Sequence, residues 1–280
     1  MATTPSILLT IDYEPWFALT RRYDDLRDPI RRKKLDGGFT KEALEPILTE
    51  LDGKEASFYL VGEIADWYPD LPGMIVAAGH ELGLHCQYHR PLLNPLELRE
   101  DLIGSAKWRK QYGVIGYRAP MVGIEESGYR ELVANGITYS SSIYAPTGTI
   151  LVHDGVTEVP VSSMATFGKK GDLTAPRQFT TRLLASGEVP YGSSFMIGLA
   201  PGIILRQLEK ELKQGLSPVI ILHPYEIAPP NRFFQKMLPD LLTSPQLLPF
   251  LINKRKFLRQ VLSNFPTSSI RSFLEREKTA

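Results

Sequence analysis

The stretch GHELGLHCQYHRP, residues 79–91, carries His80, His85 and His89, three of the five histidines in the chain, together with its single cysteine, Cys86. His85 and His89 are four residues apart, the separation at which two imidazoles on one helical turn can grip one ion. Asp12 and Glu14 in TIDYEP are two apart. Alternate residues of an extended chain point to the same side, so both carboxylates can face one cavity. Two imidazoles and one carboxylate, with a coordination position left for water, compose a catalytic zinc site. Plainer readings stand beside this one. A carboxylate ending a strand can be a turn or helix-capping residue. His80 reads as a solvated or capping residue, and His153, beside Asp154-Gly155, as a turn residue. Cys86 reads as a small packed side chain, since no second cysteine supports a thiolate site.

Short apolar runs rich in β-branched and aromatic residues alternate with segments of helical period. Ser6–Asp12 reads as a strand, Lys41–Leu51 as a helix, Ala56–Val61 as a strand, and Leu71–Ala78 as a helix closed by Gly79. The alternation continues through Glu81–His85, Leu96–Tyr112, Val114–Tyr117, Glu125–Asn135 closed by Gly136, Ile137–Ser142, Leu205–Lys213 and Pro218–His223. Such a succession predicts an α/β fold with a parallel sheet, closed as a barrel or open and doubly wound. Functional groups in both collect at the C-terminal ends of strands, which is where Asp12, His85, Arg118 and His223 fall.

Composition narrows the partners. A formal net charge of +1 over 280 residues offers no global field for nucleic acid. One cysteine cannot form an internal disulfide, the N-terminal residues lack a signal-peptide pattern, and no run approaches the roughly 20 apolar residues that span a bilayer. The expectation is a cytoplasmic chain with no transmembrane segment. Residues 229–280 mix apolar and basic side chains, as in LLPFLINKRKFLRQVL, and read as a helical extension packed on a domain spanning 1–228. Contact of that extension with a membrane surface is the second reading.

TIDYEPW, then ASFYLVGEIADWYPDLPGMIVAAGHELGLHCQYHRPL, then GYRAP, then VIILHPYE, in that order, resemble the NodB-homology polysaccharide deacetylases, carbohydrate esterase family four. The resemblance covers about residues 6–227. Asp-x-Glu in the first motif and His-Pro-aromatic-Glu in the last are most similar to the deacetylases of exopolysaccharide and surface-glycan biosynthesis. The resemblance implies an irregular seven-stranded (β/α) barrel of NodB-homology type and a metal-dependent hydrolase that removes acyl groups from sugars. It makes Asp12 the general base and Glu14, His85 and His89 the ligands of a divalent metal, zinc before others. Arg118 would orient Asp12, and His223 would be the general acid. The Met121 N–H, after Pro120, would help hold the oxyanion, and Tyr13, Pro120 and Met121 would lie against the substrate. The expected substrate is an acylated amino sugar or glycan intermediate carried by a nucleotide, lipid or oligosaccharide. An allantoinase-like amidohydrolase and a catalytically inactive glycan-binding relative are the alternatives. Two departures stand out. Met121 replaces a common aromatic residue, and YSSSI at 139–143 lacks an aspartate that relatives often carry, which would remove a partner of Arg118.

Overall fold

A computed structural model describes residues 4–91, 94–166 and 173–279. Its strands are β1 (Ile7–Tyr13), β2 (Ser57–Leu60), β3 (Glu81–Leu84), β4 (Gly116–Tyr117), β5 (Tyr139–Ser140), β6 (Tyr144–Pro146), β7 (Leu151–His153), β8 (Val156–Glu158), β9 (Val161–Ala165), β10 (Glu188–Val189), β11 (Val219–Leu222) and β12 (Thr267–Ser268). Seven of them lie parallel in the order β11-β1-β2-β3-β4-β5-β8, forming the curled sheet expected of an irregular seven-stranded barrel. β7 adds an antiparallel edge to β8, and β12 pairs with the first residues of β1, ahead of the stretch that β2 occupies. A small second sheet, β10-β9-β6, lies against β11, where Gly192 accepts from the Ile221 N–H and Ser162 Oγ from the Val219 N–H.

Strand alternation divides the apolar interior in two. Ile7, Leu9, Ile11 and Tyr13 of β1 join Phe58 and Leu60 in a large cluster shared with the helices outside the sheet. Leu8 joins Tyr59, Tyr139, Val219 and Ile221 in a second cluster on the concave side. Every residue of β1 is buried, the pattern of a parallel strand covered on both faces. The concave side is crowded with rings. A Cβ on Gly83 would come within 2.6 Å of the Tyr59 ring, and one on Gly116 would overlap the Tyr139 hydroxyl. Only glycine lets these neighbouring strands pass the two tyrosines.

The helices flanking the site follow the sequence closely. Pro95–Gln111 starts at a full Asn94/Glu97 capping box, and Leu71–Ala77 is followed by Gly79 at φ 84°. Differences concentrate downstream. The hairpin and second sheet between 144 and 189 carry strands too short and too polar to announce themselves by alternation. The C-terminal extension is not one helix. Prolines at 245 and 249 hold Pro245–Leu251 in a 3₁₀ form, and a separate helix, Arg255–Asn264, buries Phe257, Leu258 and Val261. Arg255 and Arg259 on its outer face pair with Glu50, which gives two of the basic residues set aside for a membrane a protein partner instead. Among the described residues no helix is long and apolar enough to cross a membrane.

Candidate active site

The sheet register assembles the site. Tyr13 pairs with Leu60, Leu60 with Leu84, Leu84 with Tyr117, and Tyr117 with Ser140, while Ile11 pairs with Leu222. The residues that follow each pair therefore form one rim: His85, Arg118, Ser141 and His223, with Asp12 and Glu14 at the end of β1. All are buried despite their polarity. Burying that many ionisable groups is costly unless each is paired or holds an ion.

Glu14, His85 and His89 offer one ligand atom each, and the three atoms lie within 4.8 Å of one another. His89 Nε2 is 2.8 Å and His85 Nε2 3.6 Å from Glu14 Oε2. Among the described residues neither Glu14 Oε2 nor His89 Nε2 makes a hydrogen bond of regular geometry, close as the two atoms are, in spite of being buried. His85 Nδ1 lies 2.8 Å from the Arg118 carbonyl, which can only accept, so Nδ1 is the donor there and Nε2 is the ring nitrogen that faces Glu14. This donor set fits a divalent cation. Two imidazole nitrogens favour zinc over magnesium or calcium, which take oxygen ligands. Burial pushes the Glu14 carboxyl up, but His89 and His223 outweigh it and hold it well below the usual range.

The histidine pair does not sit on a helical turn as its spacing suggests. His85 and His89 flank a loop in which Cys86 takes φ 59°, and their ring centroids are 5.1 Å apart. The loop is pinned from outside. Asp101 accepts the Gln87 and Tyr88 N–H groups, and Gly62 and Glu63 donate to the Cys86 and Gln87 carbonyls. Cys86 itself is a packed side chain with Sγ 3.0 Å from the Tyr117 hydroxyl, and burial raises its thiol pKa well above normal.

Asp12 stands beside the cluster, with Oδ2 4.0 Å from His85 Nε2 and Oδ1 held by Arg118 Nη1 at 3.0 Å. Arg118 is fully buried. It also donates to Thr10 Oγ1 and to the Ser141 carbonyl and hydroxyl, and lies 4.5 Å over the Tyr59 ring. The serine segment thus supplies partners for Arg118, where the missing aspartate had suggested their loss. Ser142 Oγ takes the Ala119 N–H, and Glu158 takes the Ser142 N–H. Replacing Arg118 by Met should leave Asp12 as an unpaired buried charge and lower unfolding stability by about 3–5 kcal/mol. Urea titration of the purified variant checks this, and an unchanged midpoint would mean that Asp12 does not need its partner.

His223 also faces the cluster, its Nε2 3.8 Å from Glu14 Oε1. Pro224 opens the short helix Pro224–Ile227 and keeps His223 extended, at φ −123° and ψ 155°. Behind the ring, Glu226 Oε2 is 3.2 Å from Nδ1 and accepts the His223 N–H at 2.9 Å. Glu226 is in turn bound by Ser194 Oγ and by the buried ammonium of Lys254. Burial lowers the His223 pKa, but Glu226, then Glu14, more than offset it and leave it raised. Tyr225 stacks on His223 and donates to Glu14 Oε1 at 2.7 Å. Sequence reasoning assigned no role to Ser141, Tyr225, Glu226 or Lys254. Glu226 and Tyr225 lie inside a quoted motif, whereas Lys254 lies in the run LLPFLINKRKFLRQVL, which carries no motif signal.

Three other expectations are corrected by the structure. Tyr13 is not against the substrate side. It lies between Asp12 and Glu14 on the opposite face of the chain, packs near Phe58 and donates to the Thr40 carbonyl. His80 is buried against the Phe58 ring and is not a solvated residue. His153 ends β7, just before the turn, and stacks on Tyr129. Pro120 and Met121 lie in the short 3₁₀ turn Pro120–Val122, which begins two residues after Arg118. Met121 has φ 57° and ψ 18° and is 53% exposed.

No family model and no curated protein sequence matches this chain. Solved structures do. A candidate polysaccharide deacetylase from Mycobacterium smegmatis superposes with a TM-score of 0.62 at 18% identity, covering 100% of this chain and 92% of its own. The PuuE allantoinase gives 0.54 at 15% identity, covering 95% and 92%. A carbohydrate esterase family 4 pseudoenzyme from Bacillus anthracis gives 0.50 at 12%, covering 98% and 66%. With its curled sheet of seven parallel strands and these neighbours, the chain has the NodB-type fold of the family 4 carbohydrate esterases.

Proposed function

We propose that this chain is a metal-dependent deacetylase that removes an acyl group, N-acetyl first, from an amino sugar or glycan intermediate. The observation that carries the reading is the cluster of Glu14, His85 and His89, flanked by an arginine-held carboxylate and a carboxylate-backed histidine. A divalent ion in that cluster would supply Lewis acidity, polarising the acyl carbonyl and acidifying water. The chain's own residues divide the proton traffic. Asp12, with Oδ1 fixed by Arg118, keeps Oδ2 free to take a proton from the attacking water. In this reading the Met121 N–H, three residues after Arg118, is the donor that binds the developing oxyanion. His223, with Nε2 3.8 Å from Glu14 Oε1, returns a proton to the leaving amine.

The expected result of elemental analysis is about one divalent ion, zinc first, per chain, and its loss in Glu14→Gln and His89→Ala. Acetate release is then measured on a panel of N-acetyl sugars beside allantoin. The allantoinase neighbour makes the second substrate class a fair competitor on the same fold. Turnover of the ureide alone would reassign the substrate, and full activity in a metal-free preparation would remove the mechanism. Stoichiometric metal with no turnover on either class would place the chain with the inactive relatives.

A further inference from the structure

Beside the cluster lies a cavity of about 530 Å³, within the size range of a small-ligand site. Its wall includes Arg27, Arg32 and Arg90, with the rings of Tyr23 and Tyr88. Arg32 is spent, its Nε and Nη2 on Glu63 and its Nη1 on the Leu26 carbonyl. The Arg27 and Arg90 guanidiniums differ. Among the described residues neither forms a hydrogen bond or a close ion pair; Arg90 rests against the Tyr88 ring at 5.7 Å and is near enough to Asp101 to favour its ionised form without bonding to it. Asp24 contributes one opposing charge to the wall, so the cavity keeps a net positive charge in a chain whose overall charge is close to zero.

The cavity is tied to the catalytic loop. Tyr88 and Arg90 bracket the ligand His89, and the Tyr23 hydroxyl accepts the His89 N–H at 2.8 Å while its ring stands edge-on to that imidazole. A group in the cavity is therefore one side chain away from the cluster. Arginine forks suit planar or tetrahedral anions, and aromatic walls weaken the screening that water would impose.

We infer that this cavity is an anion subsite for the substrate, so that the acylated sugar carries a phosphate or carboxylate close to the acyl group that is removed. The sugar part rests on the deacetylase reading, whereas the anion part rests on the arginines alone. Binding is measured by calorimetry on the full chain with three probes: N-acetylglucosamine, its 1-phosphate and an N-acetylated amino-sugar uronic acid. One or both anionic probes should bind ~10–100-fold more tightly than the neutral sugar, the worth of charge-assisted hydrogen bonds. The tighter of the two names the source of the charge. Arg27 and Arg90 are exposed, so Arg27→Gln/Arg90→Gln should fold normally and lose the preference, and added salt should weaken it. Glu14→Gln should keep it, which separates this site from the metal cluster. Equal binding of all three probes overturns the inference. So does a preference that survives the double arginine variant, or one abolished by Glu14→Gln. Absence of deacetylation by a chain that retains the arginine-dependent preference would count against the catalytic reading only.

Discussion

Asp12→Asn is expected to abolish turnover while leaving the divalent ion in place. The two halves of the result come from different atoms. The proposed donors to the ion are Glu14, His85 and His89, and the substitution touches none of them. The proposed base is the second oxygen of Asp12, since the first is engaged by Arg118. An asparagine fills the same volume and can still present a carbonyl oxygen to the guanidinium, but its amide cannot take a proton. Removing a positioned base costs roughly 10²–10⁴-fold in rate. The measurements are metal content by elemental analysis and acetate release on the best substrate of the panel. Asp12 lies only 4.0 Å from His85, so the competing assignment is concrete. If Asp12→Asn strips the ion and Glu14→Gln keeps it, the two carboxylates have exchanged roles.

The sequence placed Asp12, His85, Arg118 and His223 on one rim, with Glu14 beside Asp12 by alternation, because parallel register is a one-dimensional rule. Each residue stands at or just after the end of a recognisable strand, and strands that share a register share an edge. What the rule could not reach is what packs behind the rim. Lys254 lies 28 positions beyond Glu226 and meets it only because the C-terminal chain folds back onto the helix Pro224–Ile227. Ser141 could not be read as a partner of Arg118, since half of its contribution is a main-chain carbonyl that any residue would provide. Spacing also misled where the backbone turned. Four residues between His85 and His89 fit a helix, but a positive φ at Cys86 brings the same rings together in a loop. Tyr13 was drawn to the substrate by its neighbours in the motif, although the alternation that pairs Asp12 with Glu14 must send the residue between them into the core.

His223→Ala should lower kcat on an amide by roughly 10²–10⁴-fold with metal content unchanged. The imidazole is within reach of the cluster without belonging to it. Its Nε2 is 3.8 Å from Glu14 Oε1, whose nearer partner is the Tyr225 hydroxyl at 2.7 Å. Behind it, Glu226 sits against Nδ1 and the main-chain N–H, so the ring is oriented with Nε2 toward the cluster and its protonated form is favoured. That is the state a donor to a departing amine requires, because an amine leaving without a proton would be an unstable anion. An activated acyl ester, with a leaving group stable as an anion, should lose far less rate in the same variant. Glu226→Gln tests the support separately. It should keep the ion and reproduce the amide-selective loss in weaker form, since the histidine remains but its charged backing is gone. Loss of metal in His223→Ala would make the imidazole a ligand. Equal loss on amide and activated ester would leave it without a proton to give, because only the amide depends on one.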